Sequence, residues 1–206
     1  MTARPPPNPP PGVHPVRAVG ALCGERVDLV PLDVTHRAEF TARAVASRQL
    51  HAPWASAPET AETFDQLLAR QTASFESHVV RLATDKSLVG AFHLSQIFLG
   101  NFCSAYLGYY ALAPFEGRGL MTEGMHLVLH HAFLRVGLHR LEANIQPGNT
   151  RSLALAKRCG FEREGFSPGY LRIGGAWRDH ERWAIRREAW TPDPAVLAQL
   201  DGSAPS

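Results

Sequence analysis

Polar and apolar residues alternate over residues 26–32 (Arg-Val-Asp-Leu-Val-Pro-Leu), the period-two pattern of a first strand. Residues 35–49 are rich in Ala and Arg and hold neither Gly nor Pro, which predicts a helix capped by Asp33 or Thr35. Two prolines around Trp54 make residues 51–58 a loop. A second helix opens at Glu59 or Thr60 and runs to about residue 74, with Phe64, Leu67, Leu68 and Gln71 on one face. Strands at 77–84 and 88–96 flank an Asp85-Lys86-Ser87 turn, and an aromatic-rich strand at 104–112 stops at Pro114.

Residues 117–136 place Leu120, Gly124, Leu127, Val128, His131 and Leu134 at helical spacing, with Gly137 as the C-cap. A strand at 140–145 and a helix at 149–158, stopped by Gly160, follow. Residues 161–173 and 176–186 form a closing hairpin that confines Pro168 to an edge or a bulge. The order β-α-α-β-β-β-α-β-α-β-β predicts an α+β fold about a largely antiparallel sheet.

Composition narrows the picture. The 206 residues suit one ordinary domain or two very small ones. Seven of the 16 prolines fall in the first 15 residues, so 1–17 is a disordered Pro-rich tail, 18–190 a single domain and 191–206 a C-terminal extension. A hydrophobic content of 45% with 19% charged residues is globular. A net charge of +2 gives no argument for nucleic acid. Apolar runs fall far short of the ~18 residues of a membrane span, and the Pro-rich start lacks the apolar core of a signal peptide. Cys23, Cys103 and Cys159 are too few for a four-cysteine metal site and odd in number, as expected of buried thiols in the cytoplasm.

The chemistry concentrates in residues 111–123 (Ala-Leu-Ala-Pro-Phe-Glu-Gly-Arg-Gly-Leu-Met-Thr-Glu): a strand, a glycine turn, then a helix. Glycines allow close approach of a ligand, and the first N–H groups of a helix lack partners. Together with the helix dipole they make an anion site, unless the glycines serve the turn alone. Gly119 and Gly124 have P-loop spacing, but Met125 and His126 follow instead of Lys and Ser/Thr. Thr122 stands where a dinucleotide fingerprint needs a third glycine. Further on, Asn149 is suited to cap a helix whose first turn holds Ser152. His126 and His130 have metal-like spacing without a third ligand, so no metal is expected, and Asp179-His180 reads as a hairpin feature.

The ordered set Gly117-Arg118-Gly119-Leu120-Met121, Leu138-His139-Arg140, Ala143-Asn144, Pro147, Asn149-x-x-Ser152, Gly160-Phe161, Glu164-Gly165, Tyr170-Leu171 and Trp177-Arg178-Asp179-His180 resembles the GNAT acetyltransferases. It is most similar to their RimJ/RimL-type branch, which acetylates N-termini of ribosomal proteins. The resemblance covers residues 26–187 and implies a mixed, largely antiparallel sheet flanked by helices on both faces. It implies acetyl-CoA as co-substrate, its diphosphate held by the amides of Gly117, Arg118, Gly119, Leu120, Met121 and Thr122. The strand at Tyr110, Ala111 and Leu112 would pair with the pantetheine arm and give an amide to the thioester oxygen. Asn149 would bond the arm, and Ser152 would protonate the leaving thiolate. Glu142 or Asn144, which share one strand face, would hold a water that takes the amine proton. Trp54, Tyr109 and Tyr170 would line the acceptor site.

Four positions depart from the family pattern: Glu116 in place of Gln or Arg, Met121 in place of Gly or Ala, Ala156 in place of a tyrosine acid, and Gly169 in place of a carboxylate base. A site without a strong base suits an α-amine, which costs about 1 kcal/mol to present neutral at pH 7, against over ~4 kcal/mol for lysine. The implied partners are therefore acetyl-CoA and an amine acceptor, a protein N-terminus or a small amine, with no nucleic acid or membrane and with a homodimer left open. The alternatives are transfer to a small amine or aminoglycoside, and a non-catalytic CoA sensor.

Overall fold

The computed structural model describes residues 20–200, so the Pro-rich tail at 1–17 lies outside the described residues. The chain folds as an α+β domain about one eight-stranded sheet. In chain order the strands are β1 (Leu22–Cys23), β2 (Val27–Pro31), β3 (Phe75–Leu82), β4 (Leu88–Phe98), β5 (Ser104–Ala111), β6 (Arg140–Ile145), β7 (Glu162–Ile173) and β8 (Ala176–Arg186). The helices are α1 (Arg37–Ala46), α2 (Arg48–His51), α3 (Ala61–Ala69), α4 (Leu120–His130), α5 (Thr150–Arg158) and α6 (Pro194–Leu200). The strand order is β1-β2-β3-β4-β5-β6-β8-β7, antiparallel throughout except where β5 meets β6.

Two apolar clusters cover the two faces of the sheet. Phe40 and Phe64 bring α1 and α3 onto Val79, Ala91 and Leu112, with the two rings edge to face at 5.3 Å. On the other face Met125, Val128 and Leu129 of α4 join Phe92, Leu107, Leu141 and Ile185. Ala156 of α5 and Val196 of α6 extend that second cluster. No helix among the described residues is long and apolar enough to cross a membrane.

Local chemistry sets the boundaries. The first expected helix breaks at Ser47, whose hydroxyl bonds back to Arg43 O at 2.7 Å and also accepts from Ala113 N at 2.9 Å. Two helices and a preceding 3-10 turn capped by Asp33 therefore replace one. Thr60 caps α3, which ends at Ala69 rather than near 74 because Gln71 Nε2 turns to Leu32 O at 2.9 Å. The helix at 117–136 becomes α4 followed by a π turn over His131–Val136, closed by Gly137 at φ 83°. Pro168 lies on the edge strand β7, at a register shift between Ser167 and Leu171. Beyond residue 190, α6 docks through Gln199, which exchanges hydrogen bonds with the Cys23 backbone at 2.7 and 2.8 Å.

Gly124 is a packing glycine: a Cβ there would come within 2.7 Å of Val80 and 3.1 Å of Phe92. Gly124→Val should therefore destabilise the fold by about 2 kcal/mol, measured by urea unfolding, as expected for overpacking a filled core.

Candidate functional site

The helix start comes first. Gly117 and Gly119 adopt φ 75° and 78°, in the left-handed region that side chains strain. Gly119 is the N-cap of α4 and offers no side-chain cap. Its carbonyl accepts from Thr122 N at 3.1 Å and Glu123 N at 3.3 Å, which closes the helix behind it. The amides of Arg118, Gly119, Leu120 and Met121 then have no partner among the described residues. The acid of the first turn, Glu123, is neutralised by Arg26, whose Nε lies 2.9 Å from Oε2. Arg158 of α5 reaches the same turn and donates to Thr122 Oγ1 at 3.1 Å. Glu116 is exposed and bonds none of these amides. The result is a small, net-positive corner of unpaired donors, suited to a diphosphate. A cavity of about 600 Å³, reaching from Arg26 to Asp193, opens onto this corner at Gly119 and Thr122.

The second element is a break in the sheet. β5 and β6 pair only through Ser104–Arg140, Ala105–Leu141 and Tyr106–Glu142. Beyond these pairs the strands part, although β4 still pairs with β5 as far as Ala111 and β8 pairs with β6 as far as Ile145. Leu112 N donates to Val89 O, and antiparallel pairing alternates, so the Tyr110 and Leu112 amides face β4. The Tyr109 and Ala111 backbone faces the gap instead. Arg187 N donates to His139 O, which by the same alternation turns the Asn144 backbone toward the gap from β6. Of the expected stretch, only Ala111 thus presents an amide there, joined by Tyr109. The Ala111 carbonyl is taken by His51 Nε2 at 2.7 Å.

The start of α5 closes one side of the gap. Asn149 caps the helix through Oδ1, which accepts from Ser152 N at 3.2 Å, so its Nδ2 remains as a donor. The Ser152 carbonyl accepts from the Tyr109 hydroxyl at 3.0 Å, and the Ser152 side chain meets the same phenol. Tyr109, expected beside the acceptor, belongs instead to the face packed by α4 and α5. Burial pushes its phenol up, so it remains a donor. Trp54 stacks over Gly148, where a Cβ would come within 2.9 Å of the ring, and its carbonyl accepts from Gln146 Nε2 at 3.3 Å. That anchors the loop between α2 and α3 onto the turn that leads into Asn149.

On the α1/α3 face, side-chain alternation groups Tyr106, Gly108 and Tyr110 with Glu142 and Asn144. Glu142 is bound by Arg140 Nη2 at 2.8 Å, and Arg140 also holds Glu164. The Asn144 Oδ1 is buried without a partner among the described residues. Tyr170 bonds the Tyr106 hydroxyl, and this bond first, then burial, pushes its phenol up to about 12. Asp179 accepts from Gly169 N at 2.7 Å while His180 turns into the hairpin, so the two form no pair.

Beside this group lies a cavity of about 480 Å³, its walls including Thr63, Arg70, Phe75, His93, Ser95 and Tyr110, with no Asp or Glu in its lining. His93 links Ser77 Oγ at 2.8 Å to the Tyr110 hydroxyl at 3.1 Å and stacks on Phe75. Burial pulls its imidazole down to about 4, so it is neutral at pH 7. The sequence reading missed this chain, whose one local signal is the matching alternation of Phe75, Ser77 and His93.

A family model described as an acetyltransferase (GNAT) domain matches residues 26–162. The chain is 38% identical over 108 residues to a [ribosomal protein uS5]-alanine N-acetyltransferase of Escherichia coli (strain K12), covering 52% of this chain and 56% of that one. It thus spans little more than half the length of that curated relative. Among solved structures it resembles Mycobacterium smegmatis RimJ in complex with CoA-disulfide, with a TM-score of 0.74, 28% identity and coverage of 85% and 88% of the two chains. A ribosomal-protein-S5-alanine acetyltransferase from Vibrio fischeri shares the fold, with a TM-score of 0.72 at 23% identity over 84% and 100%.

Gly119→Val would force a β-branched residue into the left-handed region and put a side chain over the free amides. Calorimetric titration should find CoA affinity reduced by at least about 10-fold with the far-ultraviolet circular dichroism retained.

Proposed function

The chain belongs to the GNAT acetyltransferase family, and on that premise we propose that it transfers acetyl from acetyl-CoA to the α-amine of a protein or peptide N-terminus. The observation that carries this reading is the gap between β5 and β6, which opens beside the unpartnered amides of α4. The two features offer one elongated ligand a diphosphate site and a strand-like slot. In this reading Arg118, Gly119, Leu120 and Met121 hold the diphosphate, with Gly117 and Thr122 shaping the turn. The pantetheine amides take the place of a missing strand against Tyr109, Ala111 and Asn144, and Asn149 Nδ2 bonds the arm.

The acceptor nitrogen attacks the thioester carbonyl carbon directly, with no acyl-enzyme. A gap-facing amide, that of Tyr109 or Ala111, stabilises the oxyanion as it develops. The C–S bond then breaks, and the thiolate takes the proton of the Ser152 hydroxyl, which is restored by the proton that the amine gives up to water. Glu142 is already paired with Arg140, so it serves by orienting a water with Asn144 Oδ1, and that water takes the amine proton. Trp54 and Tyr170 border the acceptor path. The reading places the reaction in the cytoplasm, where acetyl-CoA is at hand and the three unpaired thiols persist.

The acceptor cavity favours an N-terminus over a polyamine or aminoglycoside. Its lining holds one cation, Arg70, and no carboxylate to neutralise several ammonium groups. Thiol release from acetyl-CoA should therefore be at least about 10-fold more efficient, in kcat/KM, with an N-terminal alanine peptide than with spermidine or an aminoglycoside. The rate should rise with pH and level off near the α-amine pKa of about 8. A preference for the polycation, or tight CoA binding without turnover on any amine, would overturn the reading.

A further inference from the structure

One group of buried polar side chains takes no part in the cleft. Glu76 and His78 stand two residues apart on β3 and so share a face, and His131 opens the π turn that ends α4. One candidate ligand atom from each lies within 4.8 Å of the other two. His78 and His131 are 4% and 1% exposed, whereas Glu76 is half-buried and leaves a path from solvent. His131 Nε2 bonds Glu76 Oε2 at 2.5 Å, and the two imidazole rings lie 4.4 Å apart. The Nδ1 atoms of both histidines are buried without a partner among the described residues. Orphaned nitrogens are rare in a packed interior, where polar groups are otherwise satisfied or bound to an ion or water.

We propose that Glu76, His78 and His131 form a divalent-cation site, suited by its two nitrogens and one carboxylate to Zn²⁺, with water completing the coordination. Bonds of about 2.0–2.2 Å would set the donors about 3.3 Å apart, so side-chain rotation closes the trio around the ion. The entering cation takes the place of the hydrogen between Glu76 and His131, whose imidazole then carries its proton on the unpartnered Nδ1. His78 brings a free lone pair, because burial first, and then repulsion from neighbours that include Arg135, hold its imidazole well below the ordinary histidine value. Arg135, whose Nη1 donates to Gly20 O at 2.8 Å, opposes the cation. The π turn itself is of a kind that gathers at functional sites. This trio is distinct from His126 and His130. His130 donates through Nδ1 to His126 O at 2.8 Å and accepts at Nε2 from Asp193 N at 2.8 Å, which leaves it no lone pair for a metal. A bound ion would fasten β3 to the end of α4, apart from the acetyl-transfer cleft.

The test is calorimetric titration of the metal-stripped full chain with ZnCl₂. The site predicts one ion per chain. Glu76→Gln and His131→Gln should each weaken binding by at least about 10-fold, with circular dichroism and CoA affinity retained. Arg135→Gln, which removes the opposing charge, should tighten it. Glu76 is half-buried, so its variant tests the site without emptying the core. Absence of binding to the unmodified chain would overturn the proposal, as would binding that Glu76→Gln and His131→Gln leave unchanged.

Discussion

A parallel strand pair that stops after three residues leaves backbone donors and acceptors unsatisfied in the middle of a sheet. Such groups are costly when buried, by about 1–3 kcal/mol each, and a sheet normally pairs them. Here both strands stay straight enough to remain paired on their outer sides, β5 with β4 and β6 with β8. The gap is therefore held open by its neighbours. It depends on α4, which covers one face, and on α1 and α3, which cover the other, so no single element can close it without disturbing a core.

The rest of the site follows from that gap. At one side β5 runs on into the glycine turn and delivers the free amides of α4 to its mouth. At the other β6 runs on into the Trp54-anchored turn and delivers Asn149 and Ser152. Charge is arranged to match: Arg26 cancels Glu123 at the helix start, and Arg140 cancels Glu142 on the strand. What remains uncompensated is positive at the helix start and close to neutral beside Asn144, as the proposed transfer requires. Under the proposed function, which leaves only a weak base, the α-amine, already near neutrality at physiological pH, is the acceptor that suits this geometry best.

Short-range features were legible in the sequence. The Asp33, Thr60 and Asn149 caps, the glycine turn, the Gly137 stop and the edge position of Pro168 all depend on neighbours along the chain. The break at Ser47 was not legible, because the second bond of its hydroxyl goes to Ala113, 66 residues away. Which way Tyr109 and Tyr110 point depends on the register with β4, and the gap exists only in the pairing of β5 with β6. The Arg140 hold on Glu142, the Ser77–His93–Tyr110 chain and the Glu76–His78–His131 trio likewise join residues that only the fold brings together. Family motifs pointed to the loop and the α5 start, whereas the wall of the proposed acceptor cavity lies on strands whose alternation signals burial and not chemistry.

Residue-resolved amide hydrogen exchange with and without CoA tests the central claim most directly. The account predicts that CoA slows exchange at Arg118, Gly119, Leu120 and Met121, and also at Tyr109, Ala111 and Asn144, while Tyr110 and Leu112, already paired with β4, change little. Protection confined to one of the two groups, or spread over Tyr110 and Leu112 instead, would contradict a ligand that bridges the helix start and the open seam.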